Sequence, residues 1–263
     1  MKPVLRPASS LSLAELTNVF NDSYADYVVP MPRYEERLMR WLIDTFDVDL
    51  DASRIAVADG VPVGFVNLAL RGDQAWIGGL GVVPQARRQG LGELLMRAAH
   101  DEARARAVER VWLEVIVQNE GASLLYEKLG YRAVRDLEVW TLNEDGAPGS
   151  AREVPVAQAH ERIRALRTAR EPWQRADATL AHHDDAVGLE TDAGAAVFRP
   201  STGIHLLQIA GDDHEELLRA LRSRGPVIAL NIPVDDPAAE ALRALGGTAS
   251  VRQREMLLEL GPD

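Results

Sequence analysis

The sequence predicts an α/β protein of two domains. Three observations carry that prediction. Short apolar strand-like segments alternate with amphipathic helical ones from Val4 to Leu142. One strand-to-helix junction, Leu80-Gly81-Val82-Val83-Pro84-Gln85-Ala86-Arg87-Arg88-Gln89-Gly90-Leu91-Gly92, is a basic loop with two glycines. The segment Leu113 to Gly130 also lines up with Ala229 to Gly246 at an offset of 116 residues without a gap. A repeat of that length means duplicated domains, because a solenoid unit is shorter.

Composition narrows the function. A chain of 263 residues with 46% apolar content can bury a substantial core in one or two domains. The formal net charge of −11 argues against nucleic acid and anionic membrane, which need basic patches, and suits a cationic substrate such as an amine. Cysteine is absent, so disulfides, thiol catalysis and Cys-ligated metal are excluded. No apolar run reaches membrane-spanning length, and Met1-Lys2-Pro3-Val4-Leu5-Arg6-Pro7 lacks a signal-peptide core, so a cytoplasmic protein is expected.

In chain order, Val4 to Arg6 reads as a strand, and Ser10 or Ser12 caps a helix through Leu13, Leu16, Val19 and Phe20. Asn21 to Tyr27 breaks that helix, and Pro30 and Pro32 make a rigid connection. A second helix carries Leu38, Met39, Trp41, Leu42 and Ile43. Arg54 to Ala58 and Val63 to Leu70 are strands around the turn Asp59-Gly60. Trp76 to Val83 is the next strand, ended by Pro84, and a helix follows the glycine loop to about Ala107. Val111 to Val117 is an apolar strand interrupted by Glu114. A helix from about Glu120 is stopped by Gly130, and Val134 to Leu142 is the last strand of this half.

Strand, basic glycine loop and helix together read as a pyrophosphate cradle, although the loop taken alone also suits a surface turn with two arginines in water. Gly90 and Gly92 lack a Cβ, so backbone N–H groups there can approach a ligand closely. They lie at a helix N-terminus, where the dipole favours an anion. The register Val83-Pro84-x-x-Arg87-x-x-Gly90-x-Gly92 resembles motif A of the GNAT acetyltransferase superfamily. It matches neither a dinucleotide fingerprint nor an ATP P-loop. Asn119-Glu-Gly-Ala-Ser-Leu-Leu-Tyr126-Glu-Lys-Leu-Gly-Tyr131 is similar to motif B of the same superfamily. The resemblance covers about residues 1 to 143. It implies a mixed, mostly antiparallel sheet flanked by helices in each domain, and acetyl-CoA as co-substrate, with no metal.

The resemblance also implies roles. Arg88, Gln89, Gly90, Leu91 and Gly92 would hold the pyrophosphate through N–H groups, with Arg87 positioning the loop. The backbone of Leu80 and Val82 would pair with pantetheine and polarise the acetyl carbonyl. Asn119 would hydrogen-bond pantetheine, and Tyr126, two turns further along the same helix face, would protonate the departing thiolate. Glu114 is the least expected residue of its strand, since a carboxylate there is costly unless paired or useful. The ribosomal-protein alanine acetyltransferases have a similar Leu-Glu-Val register whose glutamate is a general base. Glu114 is therefore either the base or the partner of a neighbouring arginine, and in the second case water or Asp22 takes the proton. The loop after the first helix, with Asp22, Tyr24, Asp26 and Tyr27, together with Trp76, is expected to line the acceptor cleft, although Tyr24, Tyr27 and Trp76 also suit a core.

Asn143 to Ser150 reads as a linker, and residues 151 to 263 as a degenerate copy. An amphipathic helix with Ile163 and Leu166 comes first and is broken by Pro172. Strands are expected at Ala186 to Glu190, Ala195 to Phe198, Ile204 to Ile209, Val227 to Ile232 and Arg252 to Leu260. The cradle is replaced by Ala210-Gly211-Asp212-Asp213-His214-Glu215-Glu216, whose carboxylates would repel a pyrophosphate by roughly 1 to 4 kcal/mol per near pair. Leu242 stands where Tyr126 does, and Asp235 where Asn119 does. This half is left to cover a sheet edge, shape a cleft or form a homodimer surface. His182-His183-Asp184-Asp185 lacks metal-ligand spacing. The expected activity is acetyl transfer from acetyl-CoA to the primary amine of a small molecule or protein N-terminus. A catalytically silent acyl-CoA-binding regulator and a non-enzymatic scaffold are the alternatives.

Overall fold

β1 (Val4–Pro7) gives way to α1 (Leu13–Ser23) at a capping box. The Ser12 hydroxyl accepts the Glu15 N–H at 3.2 Å, and the Glu15 carboxylate accepts the Ser12 N–H at 2.8 Å. α1 buries Leu16, Val19 and Phe20, and α2 (Glu36–Thr45) buries Met39, Leu42 and Ile43, the stripes that helical spacing sets on one face. β2 (Arg54–Ala58) and β3 (Val61–Arg71) form a hairpin around Asp59 and Gly60, both with positive φ, as a tight primed turn requires. β4 (Gln74–Val82), α3 (Leu91–Ala105), β5 (Arg110–Ile116), α4 (Glu120–Lys128) and β6 (Arg132–Leu142) complete the first series. Its order is the predicted one. The third and fourth strands begin two residues earlier than expected, because ladder pairing carries them past their apolar ends.

The second series is β7 (Arg152–Val154), α5 (Val156–Leu166), α6 (Asp177–Leu180), β8 (Val187–Glu190), β9 (Gly194–Pro200), β10 (Ile204–Gly211), α7 (His214–Arg222), β11 (Val227–Pro233), α8 (Pro237–Ala244) and β12 (Thr248–Glu259). β7, which sequence reading left out, has only three residues and no alternation to reveal it.

This computed structural model describes residues 3–143 and 146–261. Glu144 and Asp145 of the expected linker lie outside them, as do Met1 and Lys2 of the segment read for a signal peptide. The chain forms two compact units, Met1–Val134 with Glu255–Asp263, and Arg135–Arg254. This partition differs from the expected 1–143 and 151–263. β6 and β12 are each divided between units, and the chain returns to the first unit for its last residues. In the first unit the sheet runs β1-β2-β3-β4-β5 and is extended by the end of β12. The first three neighbour pairs are antiparallel and β4–β5 is parallel. Met256 and Leu260 join the core that Leu95, Met96, Leu113 and Tyr126 share, and the Leu260 N–H donates to Glu109 O at 2.8 Å. In the second unit the remaining part of β12 leads the order β6-β11-β10-β9-β8-β7, around a separate core containing Leu189, Leu217, Leu221 and Leu242. Each unit is thus a mixed, mostly antiparallel sheet flanked by helices.

The first unit therefore depends on residues at the far end of the chain. Met256 is 1% exposed. Met256→Ala is expected to lower the stability of the first unit by about 2–5 kcal/mol. Hydrogen exchange should then accelerate at β4 and β5 amides and stay unchanged at β8 and β9.

Candidate active site

The site begins where two parallel strands part. β4 pairs with β5 at Gln74 to Trp76 against Arg110 to Trp112, yet β4 continues to Val82 and β5 to Ile116. A bulge at Gly78, between the pairs Leu68–Ile77 and Asn67–Gly79, turns β4 as it leaves its neighbour. Beyond the bulge the backbone alternates. Gly81 turns its carbonyl toward Gly64, and Val83 donates to Val63 O at 3.0 Å, so these residues face β3. Leu80 and Val82 face the opposite, opened edge. Their carbonyls there accept from side chains, Leu80 O from the Tyr24 hydroxyl at 3.4 Å and Val82 O from Arg87 Nε at 2.9 Å. A Cβ at Gly81 would collide with the Phe65 ring and Ser23, so glycine lets α1 and β3 close behind this edge.

The basic loop follows directly. A 3-10 turn, Pro84–Ala86, leads to Arg87. Arg88 and Gly90 then both take positive φ, 61° and 79°. Left-handed residues in a turn aim successive N–H groups into a concavity that favours anions. Gly90 is the N-cap of α3, and no side chain caps that helix. A Cβ at Gly90 would meet open space, whereas one at Gly92 would press on Leu125 at 3.3 Å. Arg88, Gln89 and Gly90 are exposed, and Leu91 is buried as the first core contact of α3. The unsatisfied donors of the first helical turn and the nest of N–H groups therefore share one place.

Tyr126 lies in the core of the first unit, 7% exposed. Burial pushes its phenol well up, and neighbouring Tyr27 pushes the same way. Its ring meets that of Tyr131 edge-on at 5.8 Å, and the Tyr131 hydroxyl is 3.0 Å from His100 Nε2. Tyr24 is raised by burial too, and it and Tyr27 interact electrostatically with Tyr126, so three phenols converge near Leu80. Asn119 caps α4, accepting the Ala122 N–H at 3.2 Å, and its side chain also hydrogen-bonds Tyr27. Glu114 is half-buried on β5 and accepts the Trp76 indole N–H at 2.7 Å. Trp76 is 5% exposed and meets the Phe46 ring at 5.6 Å. Trp76 thus orients Glu114.

Of the acceptor candidates, Tyr24 and Tyr27 line a cavity of about 320 Å³ with Phe20, Asn21, Met31 and Arg33. Asp22 is exposed and is not part of that lining. Sequence reading missed Asn21, whose side chain donates to Tyr34 O at 2.9 Å and accepts the Tyr34 N–H at 2.8 Å, fixing the loop between α1 and α2. A larger cavity, about 580 Å³ beside Arg104, Val108 and Leu260, lies at the other end of α3 from the basic loop. Among the described residues no group of three or more His, Asp or Glu is arranged to hold a metal ion, and no helix is long and apolar enough to cross a membrane.

The second unit repeats the framework with different contents. β10 and β11 pair in parallel only at Ile204 to Leu206 against Val227 to Ala229, and β10 carries a bulge at the matching place, Leu207. Gln208, fully buried after that bulge, donates to Arg175 O at 2.6 Å and Asp177 Oδ1 at 3.1 Å. Asp177, gripped by Arg167 at 2.8 and 3.0 Å, is held far below the usual carboxylate range. Leu242, in place of Tyr126, is fully buried, and Leu230, in place of Glu114, is 39% exposed.

Residues 13–131 match the sequence model described as the Acetyltransferase (GNAT) family. Over 59 residues the chain is 42% identical to the ribosomal protein bS18 alanine N-acetyltransferase of Escherichia coli (strain K12), a stretch that is 22% of this chain and 40% of that enzyme. The chain therefore spans less than half the length of the curated relatives it matches. Among solved structures, a GCN5-related N-acetyltransferase from Sphaerobacter thermophilus superposes with a TM-score of 0.75 at 17% identity, over 99% of this chain and 96% of that one. A tandem GNAT protein from the clavulanic acid biosynthesis pathway superposes with a TM-score of 0.66 at 15% identity, over 100% and 98%. Likeness at these identities establishes the fold, including its doubling.

The buried His100–Tyr131 pair behind Tyr126 makes stability depend on pH. Burial lowers the His100 imidazole to about 4, Arg104 and Arg97 act in the same sense, and Asp101 opposes them. The unfolded chain takes up this proton near pH 6.5 and the folded one does not until about 4. Stability is therefore held above pH 6.5 and lost as pH falls toward 4, by up to about 3 kcal/mol. His100→Gln keeps a hydrogen-bonding group without the titration, and denaturant melts should show a flatter pH profile for it.

Proposed function

We propose, from the match of residues 13–131 to the Acetyltransferase (GNAT) family and from the tandem GNAT fold of the chain, that its first unit transfers an acetyl group from acetyl-CoA to a primary amine. The observation that carries this reading is the opened edge of β4. Leu80 and Val82 present backbone groups where β5 has departed, directly before an uncapped helix N-terminus with two left-handed residues. An extended amide-bearing arm suits the edge, as an added strand would, and a pyrophosphate suits the helix end. The chemistry of the donors thus fits acetyl-CoA in both parts.

In this reading the N–H groups of Arg88 to Gly92 hold the pyrophosphate, and Asn119 fixes the arm while it caps α4. A Leu80 or Val82 N–H polarises the acetyl carbonyl as negative charge develops on its oxygen. The amine nitrogen attacks the carbonyl carbon, the C–S bond breaks, and the amine proton passes to Glu114, directly or through water. Trp76 holds that carboxylate in place. Tyr126 gives its proton to the thiolate, and Glu114 and Tyr126 then exchange protons with solvent. A phenol raised by burial is a weak acid in water. The phenol acts only if the thiolate departs into the same dry surroundings, where burial would raise its basicity too. The acceptor is an amine of a small molecule or a peptide, entering beside Tyr24 and Tyr27. The second unit has acids at the cradle position, Leu242 for the phenol and a side-chain network around Gln208, and it does not catalyse.

Two outcomes test this reading. Tyr126→Phe should lower kcat by about 100-fold while the acetyl-CoA Kd stays within about twofold, since only a transition-state interaction is removed. A parallel loss of affinity would mean that the tyrosine is structural. Titration calorimetry of the full chain should give one acetyl-CoA per chain. Two sites would overturn the assignment of the second unit, and binding without thiol release across a broad amine panel would favour a silent acyl-CoA-binding regulator.

A further inference from the structure

The guanidinium of Arg87 is satisfied inside the first unit. Its Nε donates to Val82 O at 2.9 Å, Nη1 to Asp26 Oδ2 at 2.8 Å, and Nη2 to Asp26 Oδ1 at 2.6 Å and Ser23 O at 3.0 Å. These acceptors come from the end of β4, the last residue of α1 and the loop between α1 and α2. Arg87 itself immediately precedes Arg88, the first left-handed residue of the cradle. One fork therefore fixes both where the cradle leaves β4 and where the acceptor-side loop leaves α1. The bidentate geometry makes this a directional clamp, which a point charge would not be.

We propose that Asp26 is a positioning residue of the cofactor cradle, acting through Arg87 to hold the loop in register and to tie the acceptor-side loop to it. Asp26 then touches neither phosphate nor acceptor, and Arg87 is a staple. The proposal rests on the cradle reading above. The competing arrangement has Arg87 turning onto the pyrophosphate while Asp26 is a bystander. The two differ in sign. Deleting the Asp26 carboxylate removes a negative charge close to a bound anion, which by Coulomb attraction alone tightens acetyl-CoA binding. If Asp26 holds the loop, the same deletion weakens it.

The experiment is a double-mutant cycle in the full chain, with acetyl-CoA Kd read by titration calorimetry. Asp26 and Arg87 are both surface side chains, 54% and 38% exposed, so the variants should keep the wild-type melting temperature. Asp26→Asn provides an isosteric second variant. Asp26→Ala and Arg87→Ala are each expected to weaken acetyl-CoA about three- to tenfold, and the double variant no more than either alone. Asp26→Asn should weaken binding in the same direction, and the acceptor KM should rise in both Asp26 variants. Unchanged or tighter binding in Asp26→Ala overturns the proposal, as do two effects that multiply in the double variant. A wild-type chain that does not bind acetyl-CoA overturns the cradle reading itself, and this proposal with it.

Discussion

Backbone polar groups taken out of water need partners, and the first unit is arranged around a place where its sheet withdraws them. β4 and β5 pair for three residues and then diverge, which leaves one edge of β4 without its neighbour from Ile77 onward. Each nearby oddity of the sequence serves that divergence. Gly78 makes the bulge, and Gly81 lets the Phe65 ring and Ser23 close in behind it. Tyr24 and Arg87 supply donors to the exposed carbonyls of Leu80 and Val82. The N–H groups on the same edge are what a bound chain with carbonyls can satisfy. What this edge offers is accordingly set by backbone geometry first, with Tyr24 and Arg87 added where its carbonyls need donors.

The second unit meets the same geometric constraint differently. Its parallel pairing also stops after three residues, and its bulge falls in the matching place. After the bulge comes Gln208 where the first unit has Gly79, and an amide side chain can do what a bare backbone leaves to a ligand. It reaches Arg175 and Asp177, and Asp177 in turn is clamped by Arg167. Gln208 itself is fully buried, so losing these acceptors would leave its amide unmatched away from water. The duplication has therefore kept the fold while changing the residues at the bulge and at the strand-to-helix loop.

Local rules made most of this legible in the sequence. The Ser12 capping box, the Asp59-Gly60 turn, Pro84 ending β4 and the paired glycines act within a few residues, and periodicity located nearly every strand and helix. The reading stopped where partners are far apart. Arg87 and Asp26 are 61 positions apart, and Trp76 and Glu114 are 38. No spacing rule joins them, so the sequence placed Asp26 and Trp76 beside the acceptor cleft without revealing that Asp26 meets Arg87 and Trp76 meets Glu114. Strand periodicity marks Arg252 to Leu260 as β-structure but cannot say which core it completes, and the end of β12 belongs to the first unit. Net charge also averages over too much. The chain is acidic, but the charged residue lining the cavity beside Tyr24 and Tyr27 is Arg33.

The protonation of the Tyr126 phenol and the packing of the core are coupled. Its phenol is securely protonated because it is buried, and burial there is shared work. Tyr131 meets its ring edge-on, His100 meets the Tyr131 hydroxyl, and Leu95, Leu113 and Met256 fill the same cluster. A hydrogen-bonded pair such as His100 and Tyr131 fixes ring orientation more tightly than apolar contacts alone, because each partner pays a desolvation penalty if the bond is lost. Looser packing would admit water around the phenol, lower its proton affinity and leave its direction unset. The remote residues of β12 therefore bear on the phenol as well as on stability, since Met256 occupies the cluster that keeps Tyr126 dry.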